Sequence, residues 1–166
     1  MKFNLFQRKS TTKVEKPSEI VESQDFETFE LEEYDQHVKF YYTNIINSLI
    51  LFTYNSAELD KMEPILIDPL TELYQELDYA FTPVLFETVF RNNFIDASLK
   101  LDLLIFRTRV EKIPSEIWDW NFLDTHEDWK SIRLEAKNLL SKLNIKSREY
   151  NTDFTTIISR DGETLI

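Results

Sequence analysis

Apolar residues recur along this chain at the three-and-four spacing of helices, in several stretches separated by turn signals. From about Glu33 to Tyr54, Val38, Tyr41, Tyr42, Ile45, Leu49 and Phe52 form one core-facing stripe. Phe40, Ile46, Ile50 and Tyr54 add a second strip beside it, so this helix is expected to be central and touched on two sides. Asp68-Pro69 reads as an N-cap followed by proline at the first helical position. Leu70, Leu73, Tyr74 and Leu77 then carry a helix to about Phe81. Thr82-Pro83 repeats that start for a short helix bearing Val84, Leu85, Phe86, Val89 and Phe90, which breaks near Asn92-Asn93.

Asp96 caps the next predicted helix, whose buried face is Leu99, Leu103, Phe106, Val110 and Ile113. Leu99, Leu101, Leu103 and Ile105 also alternate as a strand would, but the pattern persists too long without a turn and favours the helix. Pro114 ends it. Thr125-His126-Glu127-Asp128 reads as a capping box that opens a helix over about 126–144, with Trp129, Ile132, Ala136, Leu139, Leu140 and Leu143 on its stripe. The β-branched run Phe154–Arg160, then Asp161-Gly162, gives the strongest short hairpin signal in the chain. The expected architecture is mainly α: a single-domain bundle of about five helices over 29–166, with room for a C-terminal β-hairpin at 154–166. Residues 1–28 lack a sustained period and read as a flexible tail.

Composition narrows the chemistry. Gly162 is the only glycine among 166 residues, so phosphate-cradling loops, dinucleotide-binding turns and nucleophile elbows are absent from the chain in their usual form. There is no cysteine, hence no disulfide and no thiolate metal site. The longest apolar runs fall far short of the ~20 residues that span a bilayer, so no membrane insertion is expected and a cytoplasmic protein is the simplest reading. Acidic residues number 30 against 19 basic, for a net charge of −11. Residues 1–28 balance five of each sign, leaving the whole excess on the body. A field of that sign disfavours direct nucleic-acid binding and favours a basic partner.

The candidate sites follow by elimination. Neither His37 nor His126 has the glutamate three positions before it that a di-iron bundle needs, and Asp124, His126 and Asp128 read as helix-start residues rather than metal ligands. No serine sits in a glycine-bearing sharp turn. Glu72 and Glu76 share one helical face, which reads as a solvated surface rather than a catalytic pair. No catalytic residue, metal or cofactor is therefore assigned, and the chain is not read as an enzyme. What remains is recognition. Residues 58–87 carry net −7, and from them Glu72, Tyr74, Glu76 and Asp78 are the candidate contacts. The stretch 116–128 holds five acids and no lysine or arginine, and adds Trp118, Asp119, Trp120, Asp124 and Glu127. Aromatic anchors beside steering charge are what a protein interface uses.

In its acidity, helical pattern, scarcity of glycine and lack of a catalytic motif, the chain resembles the immunity proteins with which bacteria neutralise their own toxins. That resemblance is compositional and assigns no site residue. It implies a basic protein partner, a cognate toxin and in particular a nuclease. Alternative readings are a helical adaptor or assembly subunit, a phage-borne anti-defence mimic of nucleic acid, and an enzyme with carboxylates converging from separate helices.

Overall fold

The computed structural model describes residues 28–155. The tail expected over 1–28, apart from Thr28, lies outside those residues, as does the Asp161-Gly162 turn of the expected hairpin. Within them the protein is mainly α, with eight helices and no strand. They are α1 (Thr28–Gln36), α2 (Val38–Thr53), α3 (Ser56–Asp60), α4 (Pro69–Ala80), α5 (Pro83–Arg91), α6 (Lys100–Glu111), α7 (Trp120–Leu123) and α8 (Glu127–Lys142). Single 3₁₀ turns at Ala97–Leu99 and Ser115–Ile117 complete the connections.

The central helix is α2, packed against α8, α4 and α5. Its two apolar strips explain this: Ile45, Leu49, Ile46 and Ile50 are all buried, so no face is left to solvent along its middle. The long helix expected from Glu33 is broken at His37, which leaves the helical region with ψ 11. The break lets α1 fold onto α5. There Arg91 bonds both the Asp35 carboxylate and the Leu31 carbonyl, and Asn92 Nδ2 donates to the same carboxylate at 2.6 Å.

Both proline starts hold, but only Asp68 caps with its side chain; the Thr82 hydroxyl instead donates to the Asp78 carbonyl at 3.4 Å. Asp68 accepts from the Thr71 backbone N–H, while Glu72 reaches back to accept from the Asp68 N–H at 2.9 Å. Asp96 takes the Ser98 N–H at 2.8 Å and opens the 3₁₀ turn before α6. In α6 the strand alternative loses, because Leu103, Phe106 and Val110 are buried while Leu101 and Ile105 face outward, as helical spacing requires. Two helices are too short to announce themselves by periodicity. Helix α3 starts on a capping box between Asn55 and Glu58, and α7 starts on Asp119. The second of these corrects the start of α8. Thr125 belongs to the end of α7, donating its hydroxyl to Asn121 O at 2.8 Å, and the N-cap of α8 is His126, whose Nδ1 accepts from Asp128 N.

After α8 the described residues, through Thr155, have no regular structure. Residues 146–155 run as a strap along α2, from its C-terminal end toward its N-terminal end. Arg148 bonds the Thr53 carbonyl and hydroxyl, Asn151 exchanges two hydrogen bonds with the buried Asn47 side chain, and Phe154 meets Phe40 edge-on at 5.7 Å.

Candidate protein-binding face

The four candidate residues of α4 divide between the two flanks of that helix. Tyr74 and Asp78 lie on the flank toward α6 and the 114–125 connection. The Tyr74 ring meets Trp118 edge-on at 6.1 Å, and the Asp78 carboxylate takes Arg107 of α6 at 3.1 Å. Glu72 and Glu76 lie on the opposite flank, under the strap, where their charges act on the Tyr150 hydroxyl. Glu72 and Glu76 thus share one helical face, as their spacing requires, and Tyr74 and Asp78 lie on another.

What the fold does join is the two acid-rich stretches themselves. A ladder of rings leads from the core to the surface through that junction. Phe106 packs edge-on to Phe52, Phe52 stacks on Trp129, Trp129 meets Trp118 at 4.8 Å, and Trp118 meets Tyr74. Trp129 is buried and satisfies its indole N–H on the Ile117 carbonyl at 2.8 Å, as a buried indole must. That bond pins the 3₁₀ turn and sets Trp118 half-buried at the surface. Tyr74 at 40% exposure, Trp120 at 37% and Phe122 at 38% offer the aromatic area around this junction. The Phe122 ring meets His126 edge-on at 6.1 Å.

The acids differ in how far their charge is already answered. Asp78, Asp124 and Glu127 each hold a cation: Arg107, Arg133 and Lys130 respectively. Burial pushes the Asp124 carboxyl up, but the Ser56 hydroxyl and N–H together with Arg133 outweigh it and hold it below the usual range. Its hydrogen bonds tie α3 to the start of α8, so Asp124 acts first as a structural clasp. Glu127 is held low mainly by its hydrogen bond from Lys130. Asp119 caps α7 through the Asn121 N–H at 2.9 Å, and among the described residues neither it nor Glu116 in the preceding turn holds a lysine or arginine. Glu116 and Asp119, flanking Trp118, therefore supply the uncompensated negative charge of this face. Lys130 answers Glu127 at local i,i+3 spacing, whereas Arg107 of α6 and Arg133 of α8 reach Asp78 and Asp124 only through tertiary packing.

The far flank has different chemistry. Glu76 is half-buried beneath the strap, and desolvation, then the charge of Glu72, raises its carboxyl above the ordinary range. The helix face read as solvated at Glu72 and Glu76 is therefore only partly so, since both side chains are half-buried. Tyr150 beside them is pushed up to about 12, first by burial and then by Glu76.

Among the described residues no group of three His, Asp or Glu side chains is placed to hold a metal ion, and no helix is long and apolar enough to cross a membrane. No protein-family model, curated protein sequence or solved structure matches the chain.

Proposed function

We propose that this protein is a non-catalytic inhibitor of the immunity kind, which binds a basic protein partner through the face where α4 meets the 114–128 segment. The observation that carries the reading is the Tyr74–Trp118 contact, which merges two acid-rich, aromatic stretches distant in sequence into one surface. Trp120, Phe122 and the outer edges of Tyr74 and Trp118 act as anchors. Glu116 and Asp119 steer the approach. A toxin whose own substrate is polyanionic, such as a nuclease, carries the complementary positive cleft.

The test begins with the full chain immobilised against a lysate of its source organism, followed by binding kinetics with the purified captured partner. Association should slow markedly between low salt and about 1 M, where the Debye length shrinks to ~3 Å. Glu116→Gln with Asp119→Asn should slow it further at low salt, since asparagine preserves the cap while removing the charge. Association indifferent to both salt and these substitutions would leave an adaptor role as the better account.

A further inference from the structure

We propose that a cavity at the C-terminal end of α8 binds the phosphate group of a small phosphorylated ligand through Lys137, Lys146 and Arg148. The cavity measures about 440 Å³ and lies between the last turns of α8 and the start of the strap. That volume falls in the range of small-molecule sites. Its walls are Lys137, Ser141, Asn144, Lys146 and Arg148 over a floor of Leu140 and Ile145: three cations, two neutral polar side chains and no carboxylate.

The protein carries net −11, yet this lining is wholly basic and neutral. Lys100, Lys130 and Lys142 are drawn into ion pairs with Glu87, Glu127 and Asp102. Lys137 and Lys146 hold no carboxylate among the described residues. The Glu58 carboxyl feels the Lys137 charge but is already bonded by the Asn55 N–H and by Arg148 at 3.0 Å. Arg148 is the fixed member of the group. Its Nε donates to the Thr53 hydroxyl, its Nη2 to the Thr53 carbonyl and Glu58, and its guanidinium lies over the Tyr54 ring at 5.5 Å, which leaves Nη1 for a ligand. An arginine held in place with two lysines as point charges is a combination suited to phosphate.

The negative end of α8 would oppose an anion here, but its last turn closes on itself. Asn144, at φ 59, donates its N–H to Ser141 O, and Ile145 N donates to Leu140 O, so these carbonyls are spoken for. The Ser141 hydroxyl and the Asn144 amide remain as donors toward the cavity. Because the whole-molecule field repels anions, recognition is local, and affinity should be modest and salt-sensitive.

The test uses the full chain with pyrophosphate and ADP as probes, against sodium chloride at matched ionic strength. Pyrophosphate should raise the melting temperature beyond the chloride control, as a ligand of the native state does, and should shift the backbone amide resonances of Ser141, Asn144 and Lys146. Lys137→Ala with Lys146→Ala, both exposed and unpaired, should leave the unliganded melting temperature unchanged and weaken the probe at least tenfold. Lys39→Ala with Lys61→Ala makes the same change in net charge elsewhere and should leave binding intact. ADP binding tighter than pyrophosphate would indicate a nucleotide source, and pyrophosphate alone an inorganic one; both support the site. Equal effects of pyrophosphate and chloride, or equal losses in the two double variants, would overturn it.

Discussion

Asparagine does at two helix ends what glycine does in most proteins. Asn93 at φ 56 and Asn144 at φ 59 are the non-glycine residues with positive φ among those described, and each follows the C-cap of its helix. At α5 the Phe94 N–H reaches back to Val89 O and the Asn93 N–H to Phe90 O, and α8 closes in the same way through Ile145 and Asn144. This is the 6→1, 5→2 pattern of a Schellman end. A chain nearly without glycine needs the one other residue that tolerates the left-handed region, because its short amide relieves part of the strain. Asn93 is exposed, which makes it a clean test. Asn93→Gly should gain up to about 1 kcal/mol by removing the Cβ clash, less what the freer unfolded chain takes back. Asn93→Ala should cost about 1 kcal/mol. Urea denaturation of both variants measures the pair, and equal stabilities would mean the turn imposes no left-handed demand.

At the scale of elements, what could be read from sequence was whatever rests on local chemistry. Asp68-Pro69 and Thr82-Pro83 fix the starts of α4 and α5 because proline at the first helical position, joined at Asp68 by a side-chain cap, needs no tertiary partner. The break at His37 was hidden because Val38 and Tyr41 continue the stripe of α2, and the force that turns α1 away is the distant Arg91–Asp35 pair. The start of α8 was misplaced by one residue because a Thr-x-x-Asp pattern is shared by the helix that ends there and the helix that begins. The strap was missed altogether as a covering element, since extended polar sequence looks the same whether it lies on a helix or in water. Its consequence is Glu76. A carboxyl raised above its unfolded value binds its proton more tightly in the native state, so its stabilising contribution is full below the ordinary carboxylate range and is lost as pH rises through the raised value. Glu76→Gln should therefore be more stable than the parent at about pH 7, by a few tenths to about 1 kcal/mol, the scale of desolvating a half-buried charge. The gap should narrow as pH falls and close below the ordinary carboxylate range, where the parent's Glu76 is protonated in both states. Asp35, Glu58 and Asp124 run the other way, contributing stability that fades as pH falls, so the difference between variant and parent isolates Glu76. A gap independent of pH would place Glu76 in water.

For the whole molecule, the candidate face was legible in its composition but not in its assembly. Acid and aromatic content flagged both stretches, yet only the packing of Trp118 between Trp129 and Tyr74 makes them one surface, and only the same packing separates Glu72 and Glu76 from it. That division gives Trp118 and Trp120 different roles, which a pair of substitutions can separate. Trp118 is half-buried against Trp129, so Trp118→Ala opens a gap beside the core's largest ring and should cost about 2–3 kcal/mol, below the ~3–5 of a fully buried aromatic. Trp120 is 37% exposed on a four-residue helix, and Trp120→Ala should cost under about 1 kcal/mol. Binding should show the opposite emphasis. Loss of an exposed anchor leaves the fold intact and speeds dissociation, whereas Trp118→Ala weakens both the monomer and the platform that Tyr74 completes. The measurements are urea midpoints for the free proteins and dissociation rates with the captured partner. If Trp120→Ala changes neither quantity, the contact surface lies away from the tryptophan turn, and the charge of Glu116 and Asp119 serves solubility alone.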